Sequence, residues 1–148
     1  MALNEGGYFF RICSTWTSSF DLPSVTYLTV QILGSIIVSA FQSGNLIAYS
    51  SVITLVEVLP KPIERGDEKL ARKFAEFLKH GRDLTMIEIS EGTAEAAGRV
   101  RGRFPFLKTV DAIQLAAALD VGTEAFLTND VKLRQFNELK VLVLKDYL

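Results

Sequence analysis

Apolar residues recur along the chain at helical spacing in some segments and at every second position in others. In GDEKLARKFAEFLKHG, the residues Leu70, Phe74, Phe77 and Leu78 share one helical face, charged residues lie opposite, and Gly81 follows. This pattern predicts an amphipathic helix. The next segment, LTMIEIS, alternates apolar and polar residues, which is typical of a strand.

The rest of the chain continues this alternation of strands and helices. In the first half of the chain the pattern predicts a strand within residues 8–20, a helix near 27–42, the strand NLIAYS and the helix SVITLVEVL. The amphipathic helix and the strand LTMIEIS come next. The helices TAEAAGRVRGRF and DAIQLAAAL and the strands EAFLT and KVLVLK complete the order. Such alternation implies an α/β fold with a mainly parallel sheet covered by helices on both faces. No repeat, low-complexity tract or linker interrupts it, so we expect residues 1–148 to form a single domain.

The segment TVDAIQLAAALDVGTEAFLTND, residues 109–130, carries an Asp near each end of a stretch that is otherwise typical of a core. Asp111 begins the predicted helix, Gly122 stands where that helix stops, and Asp130 follows the strand EAFLT. Local structure explains each Asp separately, since Asp is a favoured helix N-cap and Asn129-Asp130 suits a turn.

A third acid, Glu57, lies in the apolar helix that follows NLIAYS, and Thr54 is one turn before it on the same side. A carboxylate beside apolar surface is costly unless something holds it, although an exposed position on a half-buried helix is the alternative. In open α/β sheets, ligands bind beyond the C-terminal ends of the strands. Glu57 and Asp130 both follow strands, so this edge of the sheet is where we expect a site.

Composition narrows the chemistry that such a site can perform. Hydrophobic residues make up 49% of the chain and charged residues 22%, which excludes a disordered segment. The net charge of −1 argues against a generally basic nucleic-acid coat, so any RNA contact needs a local patch. One cysteine, Cys13, excludes an internal disulfide and fits a reducing cytosol, and one histidine, His80, leaves no pair for zinc. The chemistry must therefore depend on carboxylates.

A membrane location is the main alternative to a cytoplasmic one, because residues 25–41 contain no charge. This stretch includes Gln31 and Gly34, is shorter than the roughly 20 apolar residues of a spanning helix, and has no basic flank. Residues 1–10 lack a signal-peptide pattern. We therefore expect a cytoplasmic protein without a membrane span.

Three stretches together resemble a PIN domain, and most closely the toxins of VapC-type toxin–antitoxin pairs. They are SSVITLVEVL (Ser50 to Leu59), AGRVRGRFPFLKTVDAIQLAAAL (Ala97 to Leu119) and AFLTND (Ala125 to Asp130), and the closing VLVLKDYL also fits. The resemblance covers residues 44–148, whereas residues 1–43 match weakly. No one stretch is specific, but the combination is.

The resemblance implies a three-layer α/β/α domain and a ribonuclease site of three or four carboxylates that depends on Mg²⁺ or Mn²⁺. Glu57, Asp111 and Asp130 match the second, third and fourth acidic positions of the family, and Thr128 matches the hydroxyl beside the last. Hard divalent cations prefer several oxygen ligands, and a pair of them about 4 Å apart can activate water and stabilise a leaving oxygen. The family also implies a cognate antitoxin partner and a homodimer.

The first acidic position is matched less well. In the family it follows the first strand, within a pattern such as Asp-Thr/Ser-Asn/Ser. Asp21 in FDLPSVTYL has suitable distances to Tyr27 and Glu57, but Leu22 and Pro23 replace the small polar pair, and the better strand, GGYFFRIC, has no acid after it. Either Asp21 is the first ligand, which we adopt, or residues 8–43 are foreign to the family pattern. In the second case, metal affinity and catalysis should be poor.

A basic segment leads directly into Asp111. It contains Arg99, Arg101, Arg103 and Lys108, with Phe104 and Phe106 between them. These groups suit RNA, because cations hold phosphates while unpaired bases stack on aromatic rings. A solvated helix end with two core Phe residues is the equally weighted alternative. The sequence thus predicts a metal-dependent endoribonuclease toxin, with a degenerate PIN module that binds antitoxin or RNA without cleavage as the alternative.

Overall fold

The computed structural model describes residues 8–10, 47–81, 84–143 and 146. The strands there are β1 (Tyr8–Phe10), β2 (Ala48–Ser51), β3 (Leu84–Ile87), β4 (Ala125–Thr128) and β5 (Lys140–Val143). The helices are α1 (Ile53–Val58), α2 (Pro60–Glu64), α3 (Glu68–His80), α4 (Glu91–Arg103) and α5 (Thr109–Asp120), and a 3₁₀ helix spans Val131–Gln135.

All strand pairs in this sheet are parallel, and the strand order is β3-β2-β1-β4-β5. The short β1 is central: Tyr8 is in register with Ala48 of β2 and with Ala125 of β4. The C-terminal ends of β1, β2 and β4 therefore lie side by side at one edge. This arrangement confirms the predicted α/β class and the mainly parallel sheet.

Helices cover both faces of the sheet, as predicted. On one face, α4 packs against α5, and Val100, Leu115, Phe126 and Phe136 belong to one buried cluster. The alternate residues of β2 point to the other face, where the Ser50 hydroxyl bonds that of Thr54 in α1. Helix α3 contacts β3 and α1, and its Leu78 is buried outside the first cluster. The result is a three-layer α/β/α arrangement.

Local sequence signals are present at three helix ends. Asp67 caps α3, its Oδ1 accepting from the N–H of Leu70 at 2.9 Å, and Ser90 caps α4 by accepting from the N–H of Thr93 at 3.0 Å. Gly122 follows the end of α5 with φ of 66°, a left-handed conformation that glycine adopts readily. These residues define the start of α3, the start of α4 and the end of α5.

The structure refines several predicted elements. The predicted helix SVITLVEVL is shorter, since α1 ends at Val58, and Pro60 then starts the separate helix α2. Phe77 was expected on the buried face of α3 but is 49% exposed, because Ala71 and Leu78 form the buried side. The predicted first strand is observed at its earlier end, as β1.

The predicted helix near 27–42 lies outside the described residues. So does the uncharged stretch 25–41 that raised the membrane alternative. Among the helices that are described, none is long and apolar enough to cross a membrane.

Candidate carboxylate site

Glu57 is held by a side chain from a helix distant in sequence. It lies in α1, directly after β2, and the Gln114 amide of α5 donates from Nε2 to its Oε2 at 2.6 Å. Gln114 is fully buried and Glu57 is half-buried. The sequence indicated that a carboxylate at this place needs a partner, and the Gln114 amide is one such partner.

Asp111 lies in the first turn of α5 and is only 3% exposed. Its Oδ2 accepts from the backbone N–H of Lys108 at 3.2 Å, so the residue does serve the helix N-terminus. Gln114 is three positions further along the same helix and therefore on the same face. The contact between Gln114 and Glu57 thus brings the second predicted acid to the helix face that carries the third.

Asp130 is positioned by the end of β4. The buried Thr128 hydroxyl accepts from the N–H of Asp130 at 3.0 Å, and Asp130 Oδ1 accepts from the N–H of Lys132 at 2.9 Å. The second bond caps the 3₁₀ helix, so the turn that the sequence suggested is present. Strand β1 separates β4 from β2, so Asp130 and Glu57 follow strands on either side of the central one.

Hydroxyl groups fill the end of β2 beneath α1. Ser50 and Thr54 are both fully buried, and their hydroxyl oxygens are 2.9 Å apart. The Oγ of Ser51 is also buried and has no hydrogen-bond partner among the described residues. This edge of the sheet is consequently polar inside an otherwise apolar fold.

The side chains at this edge suit a hard divalent cation in kind. Glu57, Asp111 and Asp130 supply carboxylate oxygens and Thr128 supplies a hydroxyl, which are the ligand types that Mg²⁺ and Mn²⁺ prefer. Within the part of the chain that the structure describes, no three His, Cys, Asp or Glu residues are grouped closely enough to hold a metal ion. The contact between Gln114 and Glu57 brings Glu57 to the helix that carries Asp111.

The acid that the family pattern places after the first strand is not found directly after the described part of β1. The described part of the central strand β1 is Tyr8–Phe10, and in the sequence Arg11, Ile12 and Cys13 come next, none of which is an acid. Asp21, the ligand that the sequence predicts, lies outside the described residues and eleven positions after Phe10 (21 − 10). Its role stays a prediction.

The four cations of the basic segment are all exposed, and two of them form ion pairs with described residues. Arg99 pairs with Glu95, and Arg103 Nη1 lies 2.6 Å from Glu138 Oε1. Arg101 and Lys108 are exposed, and no ion pair with another described residue is present for either.

The two Phe residues of the basic segment also differ. Phe104 packs edge-on against Phe136 with ring centroids 4.9 Å apart, whereas Phe106 is 39% exposed. Phe104 is therefore a core residue, as one alternative held, and Phe106 is available at the surface.

Gln114 is the residue that sequence reasoning missed. A signal was present, because Gln114 is the one polar side chain in the apolar run from Ala112 to Ala118. A polar residue in a fully buried helix usually has a specific hydrogen-bond partner. The identity of that partner, in another helix, is not visible in the local pattern.

Comparison with known proteins supports the architecture. A family model described as "PIN domain" matches residues 34–139. The fold is similar to VapBC2 from Rickettsia felis bound to a DNA fragment from its promoter, with 18% identity over 92% of this chain and 97% of that chain and a TM-score of 0.59. It is also similar to a toxin–antitoxin complex from Klebsiella pneumoniae (19% identity, 93% and 97% of the two chains, TM-score 0.57).

A further similar structure is FitAB bound to an IR36 DNA fragment, with 16% identity over 92% of this chain and 94% of that chain and a TM-score of 0.53. At these identities the likeness concerns the fold. A search among curated protein sequences gave no match.

Proposed function

Because the chain belongs to the PIN domain family, we propose that it is a metal-dependent endoribonuclease and the toxin of a VapBC-type toxin–antitoxin pair. The observation that carries the proposal is the contact between Gln114 and Glu57, which brings a second carboxylate to the helix face of Asp111. Two hydrogen-bonded acids at the C-terminal edge of a parallel sheet are typical of active sites in α/β folds.

In this proposal Glu57, Asp111 and Asp130 hold Mg²⁺ or Mn²⁺, and Asp21 is the sequence-based candidate for a fourth ligand. When bound there, such a cation would supply activation of water and neutralisation of the charge that develops on a phosphodiester. The chain's own contribution is to orient the carboxylates: the Lys108 N–H fixes Asp111, Gln114 fixes Glu57, and the Lys132 N–H fixes Asp130. Hydrogen-bonded ligands of this kind lose little freedom on binding a metal.

The cation also has a stabilising role in this proposal. Two unit charges 4 Å apart repel by about 4 kcal/mol at an effective dielectric constant near 20. Carboxylates that converge without a cation therefore destabilise the fold. We expect the melting temperature to rise when Mn²⁺ is added.

RNA would approach along the basic segment. Arg101 and Lys108 are the exposed cations available for phosphates, and Phe106 offers a surface for a base. The pairs of Arg99 with Glu95 and of Arg103 with Glu138 are exposed and therefore weak, so a phosphate could displace them. All four cations stay in the proposed RNA surface.

The partners follow from the family and from the similar structures. One of these is described as a toxin–antitoxin complex, and VapBC2 and FitAB were each solved on DNA. We propose a cognate antitoxin, a homodimer and a cytoplasmic location for this chain.

A second candidate function is a degenerate PIN module that binds antitoxin or RNA without cleavage. The observation that favours it is that the sequence directly after the described part of the central strand β1 reads Arg11, Ile12 and Cys13 and contains no acid. This candidate retains the fold and the interfaces but predicts no metal-dependent hydrolysis.

Cleavage of a labelled single-stranded RNA pool separates the two functions. We expect cleavage with Mg²⁺ or Mn²⁺, none with chelator, and a loss of at least about 100-fold in Asp111→Asn, since the ligand charge is removed. Asn retains an oxygen for the Lys108 N–H, so the variant should fold. Asp120→Asn, at the exposed end of the same helix, is the matched control and should cleave normally. Well-folded protein that cleaves no RNA with either metal would favour the degenerate module.

Asp21→Asn is the second arm of the same assay. If Asp21 is the first ligand, cleavage falls as far as in Asp111→Asn. Unchanged cleavage would show that the site uses Glu57, Asp111 and Asp130 without it.

A further inference from the structure

Gln114 occupies a place where an apolar side chain would normally stand. It is fully buried within α5, and its neighbours from Ala112 to Ala118 are otherwise apolar. A Leu or Met would fill a similar volume and would leave no polar group to satisfy. The presence of an amide at this position therefore calls for a specific reason.

The nitrogen of the Gln114 amide forms a hydrogen bond with a described residue, and its oxygen does not. Its Nε2 donates to Glu57 Oε2 at 2.6 Å, while its Oε1 is buried and has no hydrogen-bond partner among the described residues. The reverse orientation would place the amide oxygen against the carboxylate, where the two oxygens repel. The fold thus leaves a buried carbonyl oxygen unsatisfied in order to present a donor to Glu57, an arrangement more typical of a functional site than of a core optimised for stability.

We infer that Gln114 is a positioning residue that holds the Glu57 carboxylate toward Asp111, so that the two acids can share one divalent cation. The inference rests on the proposed function, because it assigns a role within the same metal site. Asp111 and Gln114 lie three positions apart on one face of α5, whereas Glu57 comes from α1. The bond from the Gln114 amide to Glu57 connects these two helices.

The effect should appear mainly in metal affinity. A hydrogen bond to a ligating carboxylate fixes its orientation before the metal binds, and loss of such a bond typically weakens affinity about 10- to 100-fold. The reaction itself does not require Gln114, since Gln114 contacts neither RNA nor the reacting atoms in this proposal. Cleavage should consequently recover when the metal is saturating.

The test is Mn²⁺ binding to the full chain, measured by electron paramagnetic resonance or calorimetry in wild type and Gln114→Met. We expect the dissociation constant to rise about 10- to 100-fold in the variant. RNA cleavage should need correspondingly more Mn²⁺, with kcat at saturation within a few-fold of wild type. Gln114→His, which retains a ring N–H donor, should restore part of the affinity. Gln135→Met changes an exposed glutamine at the end of the 3₁₀ helix and should bind Mn²⁺ as wild type does.

The outcomes distinguish this inference from the proposed function. Wild-type protein that binds Mn²⁺ and cleaves RNA, together with Gln114→Met of equal affinity, would overturn the inference alone. Folded wild-type protein that neither binds Mn²⁺ nor cleaves RNA would overturn both.

A metal-free measurement covers the case in which Gln114→Met does not fold. In ¹⁵N NMR spectra of wild type, we expect the Gln114 side-chain amide protons to be shifted and protected from exchange by the bond to Glu57. Glu57→Gln should move these signals and speed their exchange. Identical Gln114 signals in the two proteins would overturn the inference.

Discussion

At the scale of single residues, Thr128 determines how the chain leaves β4 toward Asp130. Its fully buried hydroxyl accepts from the Asp130 N–H at 3.0 Å. Thr128→Val retains the shape and removes the acceptor, so we expect the free energy of unfolding to fall by about 1 kcal/mol. Because Asp130 then loses its fixed position, Mn²⁺ should also bind more weakly.

Urea denaturation and Mn²⁺ titration check this prediction. Thr85→Val, at an exposed position of β3, is the control and should change the free energy of unfolding by less than about 0.5 kcal/mol. A Thr128→Val protein with wild-type stability and wild-type Mn²⁺ affinity would show that the hydroxyl does not orient Asp130.

Residue-level reasoning from sequence reached part of the site. It identified Asp111 as an acid at the start of a helix and Asp130 and Glu57 as acids that follow strands, and it indicated that Glu57 needs a partner. It did not find Gln114, because Gln114 and Glu57 are 57 positions apart in the sequence and lie in different helices. Local periodicity describes which face a residue occupies and carries no information about what lies opposite.

At the scale of elements, two glycines should respond to substitution in opposite directions. Gly122, at the end of α5, has φ of 66°. An alanine there would have to adopt a left-handed conformation, so we expect Gly122→Ala to lower the free energy of unfolding by about 1 to 2 kcal/mol. Gly98 is exposed within α4, and a Cβ there meets no atom within 4 Å. Gly98→Ala should therefore stabilise the protein by about 0.5 to 1 kcal/mol through helix propensity.

Thermal and urea unfolding of the two variants, with RNA cleavage measured in parallel, is the check. Both should cleave RNA as wild type does, because neither position contributes to the site. Destabilisation by Gly98→Ala would mean that residue 98 is not at an exposed helical position. A neutral Gly122→Ala would mean that residue 122 does not have a left-handed conformation.

The sequence patterns predict most of the described elements but not the order of the strands in the sheet. Strands β2 to β5 and helices α3 to α5 follow from periodicity and turn residues, with small differences in length. The central position of β1 does not, because strand order depends on pairing between distant segments. The break between α1 and α2 is explained by Pro60, which lacks an N–H and suits the first turn of a new helix.

At the scale of the whole molecule, three neighbouring helices expose apolar side chains. Val56 of α1 is 67% exposed, Ile63 of α2 is 50% exposed and Phe77 of α3 is 49% exposed, and these helices contact one another. Large exposed apolar residues on adjoining elements are typical of interaction surfaces. They support the proposed homodimer, or the antitoxin contact, on this side of the molecule.

We predict that the purified chain is a dimer and that Phe77→Lys shifts it toward monomer. The substitution removes apolar surface and adds a charge that suits the last turn of α3, so the fold should persist. Light scattering after gel filtration gives the mass directly. Ala94→Lys, on the exposed side of α4, should leave the mass unchanged. A monomeric wild type would exclude the homodimer and leave the antitoxin as the expected partner.

The central claim is that Glu57 and Asp111 share one divalent cation at the C-terminal edge of the sheet. The most direct measurement is the anomalous diffraction of a crystal grown with Mn²⁺. We predict a manganese peak about 2 Å from a carboxylate oxygen of each of these two residues, with the Gln114 amide still bonded to Glu57. Ordered Glu57 and Asp111 side chains with no manganese between them, or manganese bound elsewhere, would contradict the claim.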